Sequence, residues 1–300
     1  MDMKIWVLSR KPDCYGNIRF LEEAEKAEIE LEIINPEEFD IIVTKEGRKS
    51  ILRNGNHVSL PDCLIPRMGA ATTYFALAVI RHMERLGVLV LNSSQSIELA
   101  RDKLAHLQAL SVSNISIPKT MLAKFPLCME SLEREFEYPL VLKTIAGAEG
   151  KGVFLCESRD QMTDLAEFVE HSKDPNVNVI LQEFIKTSRG RDVRVWLLGG
   201  RAIGAMLRTA KEGKFKANFS LGGDVAPYEM NPTVEWLAVE SARLIGLDIA
   251  GVDILFDGDG FKVCEVNSSP GYEGFEKATD INIPREVFNY INIRLGETGG

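Results

Sequence analysis

Two apolar, β-branched runs, residues 251–255 and 261–267, flank the pentapeptide Phe-Asp-Gly-Asp-Gly at 256–260. Asp-Gly pairs favour the backbone of tight hairpin turns, so this stretch is constrained to fold back on itself as two antiparallel strands. Side chains two apart on a strand share a face. Glu265 and Asn267 therefore point the same way, and the partner strand brings Asp253 beside them. Two carboxylates and an amide oxygen form a hard-oxygen set suited to Mg²⁺ or Mn²⁺. The competing readings are a calcium loop at the turn or three solvated side chains. Apolar strands interrupted by Asp, Glu and Asn favour charge pairing or a metal, and Asp257 and Asp259 read as turn residues.

A second constraint is Lys-Thr-Ile-Ala-Gly-Ala-Glu-Gly-Lys-Gly-Val-Phe-Leu at 143–155, with glycines at 147, 150 and 152. Closely spaced glycines let backbone N–H groups approach an anion without interference from Cβ. The order is neither the dinucleotide-binding G-x-G-x-x-G nor a P-loop, since Gly152 and not Ser or Thr follows Lys151. Apolar runs on both sides place the glycines at a hairpin tip, as a flap over phosphates or as a plain glycine-rich turn. A third cluster is basic: Arg191, Arg194, Arg208, Lys211, Lys214 and Lys216 fall close together in a chain of net charge −9. Arg194 and Arg208 lie within strand-like runs, where a charge needs an anion or a carboxylate beside it. Arg208, Lys211 and Asn218 read as a clamp on phosphoryl oxygens, against the alternative of structural salt bridges.

The acidic balance argues against nucleic acid as the main partner. Five widely spaced cysteines without a C-x-x-C pair suit free thiols in a reducing cytosol. No apolar run is long enough to span a bilayer, and the strand at 4–9 leaves no room for a signal peptide, so a cytoplasmic protein is expected. No histidine spacing suits a metal, and G-x-S-x-G is absent.

Hydrophobic periodicity divides the chain into three units. Residues 1–95 read as a βαβ opening, a hairpin marked by turns at 45–50 and 53–56, then strand, helix (72–87) and strand (88–92). Residues 96–180 hold the glycine hairpin and a helix at 158–171, with one long helix over 93–112 leading in. Residues 181–300 are strand-rich, with helices at 232–247 and near 284–295 and a disordered end from Gly296. The three clusters together describe a nucleoside triphosphate between a glycine flap and a metal-bearing strand pair, compatible with kinase, ligase or mutase chemistry.

In order along the chain, Ile-Pro-Arg-Met-Gly (65–69), Ala-Arg-Asp-Lys-Leu (100–104), the stretch 139–153, Leu-Gln-Glu-Phe-Ile (181–185), Arg-Asp-Val-Arg-Val (191–195), the stretch 205–223, Ala-Gly-Val-Asp-Ile-Leu (250–255) and the stretch 265–277 resemble the ATP-grasp carboxylate–amine ligases, specifically their RimK-like glutamate ligase branch. The resemblance covers nearly the whole chain. It implies an α/β (α+β) ATP-grasp fold: an N-terminal pre-ATP-grasp domain (1–95), a central lid domain (96–180) and a C-terminal antiparallel-sheet domain (181–300). It further implies Lys103 and Lys143 on the phosphates under a flap carrying Gly147, Glu149, Gly150 and Gly152. Gln182, Glu183, Phe184 and Ile185 would surround the adenine, and Asp192 would meet the ribose. Arg208 and Asn218, with Lys211 nearby, would stabilise an acyl phosphate, and Asp253, Glu265 and Asn267 would bind two Mg²⁺ or Mn²⁺ ions. Arg67 and Arg194 would grip a substrate carboxylate, and Ser268 to Gly271 would line the acceptor side.

The implied reaction joins an amino acid, glutamate by resemblance, to a carboxylate acceptor with ATP becoming ADP and phosphate, in a dimer or tetramer. Many bacterial members read N-x-H-R-G-G where this chain has Asn-Phe-Ser-Leu-Gly-Gly at 218–223, which leaves a protein tail, a peptide or a small acid open as acceptor. Two other readings stand beside this one: a ligase that cross-links peptide side chains, and a nucleotide-binding regulator without turnover.

Overall fold

A computed structural model describes residues 3–45, 50–69, 72–145, 152–171 and 178–298. The opening is βαβ, as expected: β1 (Lys4–Leu8), α1 (Tyr15–Lys26) and β2 (Glu30–Ile34), with β1 and β2 parallel. β3 (Phe39–Ile41), β4 (Ile51–Arg53) and β5 (Asn56–His57) form a small antiparallel sheet. Its tight turn is Asn54-Gly55, both at positive φ, the conformation that Asn-Gly adopts most readily. The turn expected at 45–50 lies mostly outside the described residues. β6 (Cys63–Pro66), α2 (Tyr74–Arg85) and β7 (Leu89–Val90) complete a parallel sheet of order β2-β1-β6-β7. Residues 5–8 of β1 and all of β6 are apolar at successive positions because both faces are covered. Trp6 and Leu8 of β1 meet Ala76, Leu77, Ile80 and Met83 of α2, whereas Ile5 and Val7 face Phe20 and Ala24 of α1.

The helix expected over 93–112 is two helices, α3 (Ser94–Arg101) and α4 (Lys103–Ser111). Asp102 is extended at φ −82° and ψ 103°, and its Oδ1 accepts from the N–H groups of Leu104 and Ala105, capping α4. The break places Lys103 at the first position of a new helix. β8 (Thr120–Leu122), α5 (Met129–Glu135), β9 (Leu140–Thr144), β10 (Val153–Cys156), α6 (Arg159–His171) and β11 (Val179–Glu183) build an antiparallel sheet of order β10-β9-β11-β8. β9 and β10 are the arms of the glycine hairpin, with Lys143 opposite Val153. Gly147, Glu149 and Gly150, expected at its tip, lie outside the described residues. Gly152 has φ +70°, and a Cβ there would run into the Thr144 hydroxyl, so this position requires glycine. β11 carries this sheet through Glu183, so a boundary at 180 would divide a strand.

β12 (Arg191–Leu198), β13 (Arg201–Thr209), β14 (Asp224–Pro227), α7 (Pro232–Ile245), β15 (Ile249–Asp257), β16 (Gly260–Asn267), α8 (Glu273–Thr279) and α9 (Ile283–Thr298) complete the chain. α9 runs past Gly296, where a disordered end was expected. The sheet order is β14-β13-β12-β15-β16, antiparallel throughout. One face, with Val193, Val195, Val252, Ile254, Val263 and Val266, packs on Val234, Leu237, Ala238, Ala242 and Ile245 of α7. The opposite face divides by position. Trp196, Leu198 and Met206 join Ile5, Val7, Cys63 and Ile65 of the parallel sheet, together with Tyr272, Phe275, Val287 and Ile291, in one core. The remaining part of that face is charged.

Asn92 links the first sheet to the last. Its Nδ2 donates to the carbonyls of Ile249 (2.7 Å) and Ser268 (2.8 Å), and its Oδ1 accepts from the Ile249 N–H at 2.8 Å. The side chain is buried. Asn92→Ala strands three buried backbone groups and should lower stability by at least about 2 kcal/mol, since each unmet group costs on the order of 1–3 kcal/mol. A urea titration checks this as a lower midpoint at unchanged slope.

Candidate active site

Strand register assembles the charged face. Arg194 on β12 is opposite Asp253 on β15, Asp253 is opposite Glu265 on β16, and Asp192 is opposite Arg208 on β13. Arg194 grips Asp253 with both prongs, Nε to Oδ1 at 2.6 Å and Nη2 to Oδ2 at 2.7 Å. Arg208 does the same to Asp192, at 2.6 and 2.8 Å, and its Nη2 also lies 3.0 Å from Asp253 Oδ2. Burial alone would raise the Asp253 carboxyl, but the two guanidiniums outweigh it and hold it down at about 2. Burial raises the Asp192 carboxyl, and Arg208, shared with Asp253, does not offset it.

A β-bulge shapes the β16 side. The register shifts between Asp253 and Ile254, so that Asp253 pairs with Glu265 and Ile254 with Val263, leaving Cys264 extra. Val263 and Val266, three residues apart, both enter the α7 core. Cys264 and Glu265 between them are thereby turned to the cleft, where Lys143 Nζ lies 3.5 Å from Cys264 Sγ. Glu265 forms no salt bridge among the described residues. Asn267 donates its amide N–H to the Gly251 carbonyl at 3.3 Å, which leaves its own oxygen available.

The central sheet supplies cations across the cleft. Lys143 Nζ donates to Gln182 Oε1 at 2.6 Å, and Gln182 Nε2 donates to Thr120 Oγ1 at 2.9 Å. Lys103 Nζ donates to the Thr144 carbonyl at 3.2 Å. Burial pushes the Lys103 ammonium down, against the pull of Glu265. His106, one turn along α4, is likewise pushed down by burial and feels Glu265. Lys262 Nζ reaches Glu183 Oε1 at 2.5 Å and Asp257 Oδ2 at 3.2 Å. Glu183 also accepts from the Lys119 backbone N–H at 2.8 Å. Phe184 stands edge-on to Phe215, 6.5 Å between ring centres, and Ile185 is buried.

Glu265, the Asn267 oxygen and Asp253 are the oxygen donors a hard divalent cation takes, and the first two are not committed to cations of the protein among the described residues. Both Asp253 oxygens are held by arginines, so Asp253 would join such a set only by exchanging one of these bonds. No cluster of three or more His, Cys, Asp and Glu placed for a metal occurs among the described residues.

Matches to two domain families divide the chain: the RimK pre-ATP-grasp domain over residues 3–97 and the RimK-like ATP-grasp domain over residues 100–291. The chain belongs to the RimK-like ATP-grasp family. A Legionella pneumophila (strain Corby) protein named probable alpha-L-glutamate ligase is 39% identical over 290 residues, covering 96% of this chain and 95% of that one. A protein of the same name from Maridesulfovibrio salexigens is 38% identical over 299 residues, covering 99% and 98%. Among solved structures, the ATP-grasp ligase PsnB complexed with minimal precursor superposes with a TM-score of 0.77 at 21% identity, covering 98% and 99%. The D-alanine–D-alanine ligase of Bacillus anthracis complexed with ATP gives 0.70 at 17%, covering 100% of both chains. These two likenesses establish the fold. The RimK-like membership and ATP-grasp fold expected from the motifs both hold, and the protein is an ATP-grasp ligase.

Within this RimK-like ligase, the cleft gathers Lys103, Lys143, Gln182, Glu183, Asp192, Arg194, Arg208, Asp253, Glu265 and Asn267, from the bonds and registers above. Several expected residues are engaged by other protein groups in this structure. Arg194, expected on a substrate carboxylate, is engaged with Asp253, its direct cross-strand neighbour. Asp192, expected on the ribose, is pinned by Arg208. Lys211 stands on the β13–β14 connection, exposed and paired with Asp224 at 3.0 Å. The Asn218 carbonyl accepts from the Leu221 N–H at 3.0 Å at the start of a 3-10 turn, with no side-chain cap. Arg67 donates to the Pro270 carbonyl at 3.1 Å and lies 5.1 Å from the Tyr272 ring centre, with no carboxylate against it among the described residues. Ser268 is buried, its carbonyl held by Asn92, and Gly271 lies in the same loop after β16. Sequence reasoning missed Lys262, Cys264 and His106. Lys262 was within reach, two positions before Cys264 on a strand already marked for chemistry.

Proposed function

We propose that this ATP-grasp ligase uses ATP and Mg²⁺ to activate a carboxylate as an acyl phosphate and join it to the amine of glutamate, releasing ADP and phosphate. The observation that carries the reading is the facing of Lys103 and Lys143 across the cleft from Asp253 and Glu265. That combination suits an anionic polyphosphate bridged to a carboxylate pair. Glutamate comes from the names of the relatives in Legionella and Maridesulfovibrio. PsnB has also been solved with Mg and ADP, which supports the choice of metal.

A carboxylate resists amines because oxide is a poor leaving group, and phosphorylation supplies a better one. Lys103 and Lys143 hold the phosphates, while Glu183, Phe184 and Ile185 border the base. Arg208, with Asn218 on the neighbouring connection, carries the cationic charge that stabilises the phosphoryl oxygens. A divalent cation on Asp253, Glu265 and Asn267 would offset repulsion between carboxylate and γ-phosphate. Arg67, with no carboxylate against it among the described residues, is a cation for a substrate carboxylate. The five cysteines are free, which supports a reducing, cytoplasmic setting. No helix among the described residues is long and apolar enough to cross a membrane.

The test is phosphate release from Mg-ATP with each amino acid paired with a panel of small-acid and peptide acceptors, with product masses. Glutamate-dependent release and a product heavier by glutamyl residues is the expected result. A mass loss of water from a peptide alone would favour side-chain cross-linking, and ATP binding without release from any pair would favour a regulator.

A further inference from the structure

We propose that Arg194 is a latch on Asp253 that weakens divalent-cation binding until nucleotide occupies the cleft. The inference rests on the metal reading of Asp253, Glu265 and Asn267 given above. Both Asp253 oxygens are engaged, Oδ1 by Arg194 and Oδ2 by Arg194 and Arg208 together. Asp192, Asp253, Arg194 and Arg208 form a set of two negative and two positive charges in which Arg208 spans both carboxylates. A cation approaching Asp253 meets a neutralised carboxylate flanked by two guanidiniums. What remains for it is Glu265 and one neutral amide oxygen, a poor site for an ion that prefers six oxygens.

The two arginines are not equivalent. Arg194 is fixed by register directly opposite Asp253, and it has the bidentate geometry that makes Arg–carboxylate pairs strong. Arg208 makes a single contact with Asp253 and keeps Asp192 as its main partner. Phosphoryl oxygens match the guanidinium fork as well as a carboxylate does. An anionic polyphosphate entering from the Lys103 and Lys143 side supplies substitute partners for both arginines and frees Asp253 oxygens. Nucleotide then raises metal affinity, and by linkage metal raises nucleotide affinity equally. Arg194 acts in this through Asp253 and is a positioning residue.

Mn²⁺ binding to the nucleotide-free protein, followed by electron paramagnetic resonance of the free ion, tests the latch without any turnover. Arg194→Met should tighten Mn²⁺ binding by at least about tenfold over wild type, within the range of a typical coupling between sites. Arg194→Lys, which keeps the charge and loses the fork, should fall between and covers the case of a poorly folded Met variant. Adding Asp253→Asn to Arg194→Met should abolish the gain. A purely structural arginine would weaken or leave unchanged the binding of metal, so equal or weaker Mn²⁺ binding in both variants overturns the latch. Mn²⁺ binding in the presence of ADP separates the two levels. If Glu265→Gln leaves it intact, the metal reading fails and the latch with it. If Glu265→Gln abolishes it while neither Arg194 variant tightens the nucleotide-free site, the latch alone fails.

Discussion

Glu265→Gln should cut ligase turnover by at least about a hundredfold, the scale of losing one preorganised electrostatic contact at a reacting phosphate. The melting temperature should stay at the wild-type value. Glutamine keeps the shape and removes only the charge. Glu265 has no salt-bridge partner among the described residues, and the buried Lys103 ammonium that its charge favours keeps its hydrogen bond to the Thr144 carbonyl. Asp253→Asn would be a poorer probe, because it leaves Arg194 and Arg208 without their shared carboxylate. ADP release by a coupled assay, run beside a thermal melt, decides the matter. Near-normal turnover in a well-folded Glu265→Gln protein would remove the β15–β16 pair from the reaction.

Arg208→Ala should have the largest effect on stability, about 3–5 kcal/mol, because it breaks a buried ion pair from one side. The Arg208 side chain is only 2% exposed, and its removal leaves the half-buried Asp192 with no bidentate partner and Asp253 with one arginine instead of two. A loss of this size lowers the melting temperature by roughly 10 °C. Adding Asp192→Asn should recover part of it, since a neutral amide needs no counter-ion. An Arg208→Ala protein melting with wild type would mean that Asp192 finds another partner or accepts a proton readily. Recovery in the double variant separates those cases from simple loss of packing.

Local chemistry made the hairpins legible. Asp-Gly pairs announced the β15–β16 turn, alternation placed Glu265 and Asn267 on one face, and Asp253 was foreseen beside them, as the register shows. The helix break at Asp102 was hidden because the apolar period runs through it, although Asp followed by Leu104 and Ala105 is good capping chemistry. The arginine pairings were out of reach for a different reason. Arg194 and Asp253 are 59 residues apart, and only the pairing of β12 with β15 makes them neighbours. The bulge at Cys264 was equally hidden, since a strand of alternating residues gives no sign that one will be left over. Lys211 was drawn to Arg208 by nearness in sequence, but Lys211 is exposed and paired with Asp224 whereas Arg208 is buried.

The shared core of the first and last sheets sets a limit on how this protein can be recombined. The family matches leave a seam at residues 98–99. The hydrophobic interior ignores that seam, since Ile5, Val7 and Ile65 lie against Trp196, Tyr272, Phe275 and Ile291. Asn92 sits just before the seam, hydrogen-bonded to backbone beyond it. A chimera grafted at residue 98 would therefore exchange one wall of a common interior while keeping the other, and mismatched volumes would meet there. The natural unit of exchange is instead the central sheet from β8 to β11, whose Leu132, Leu140, Leu142, Met162 and Leu181 form a cluster of their own among the described residues.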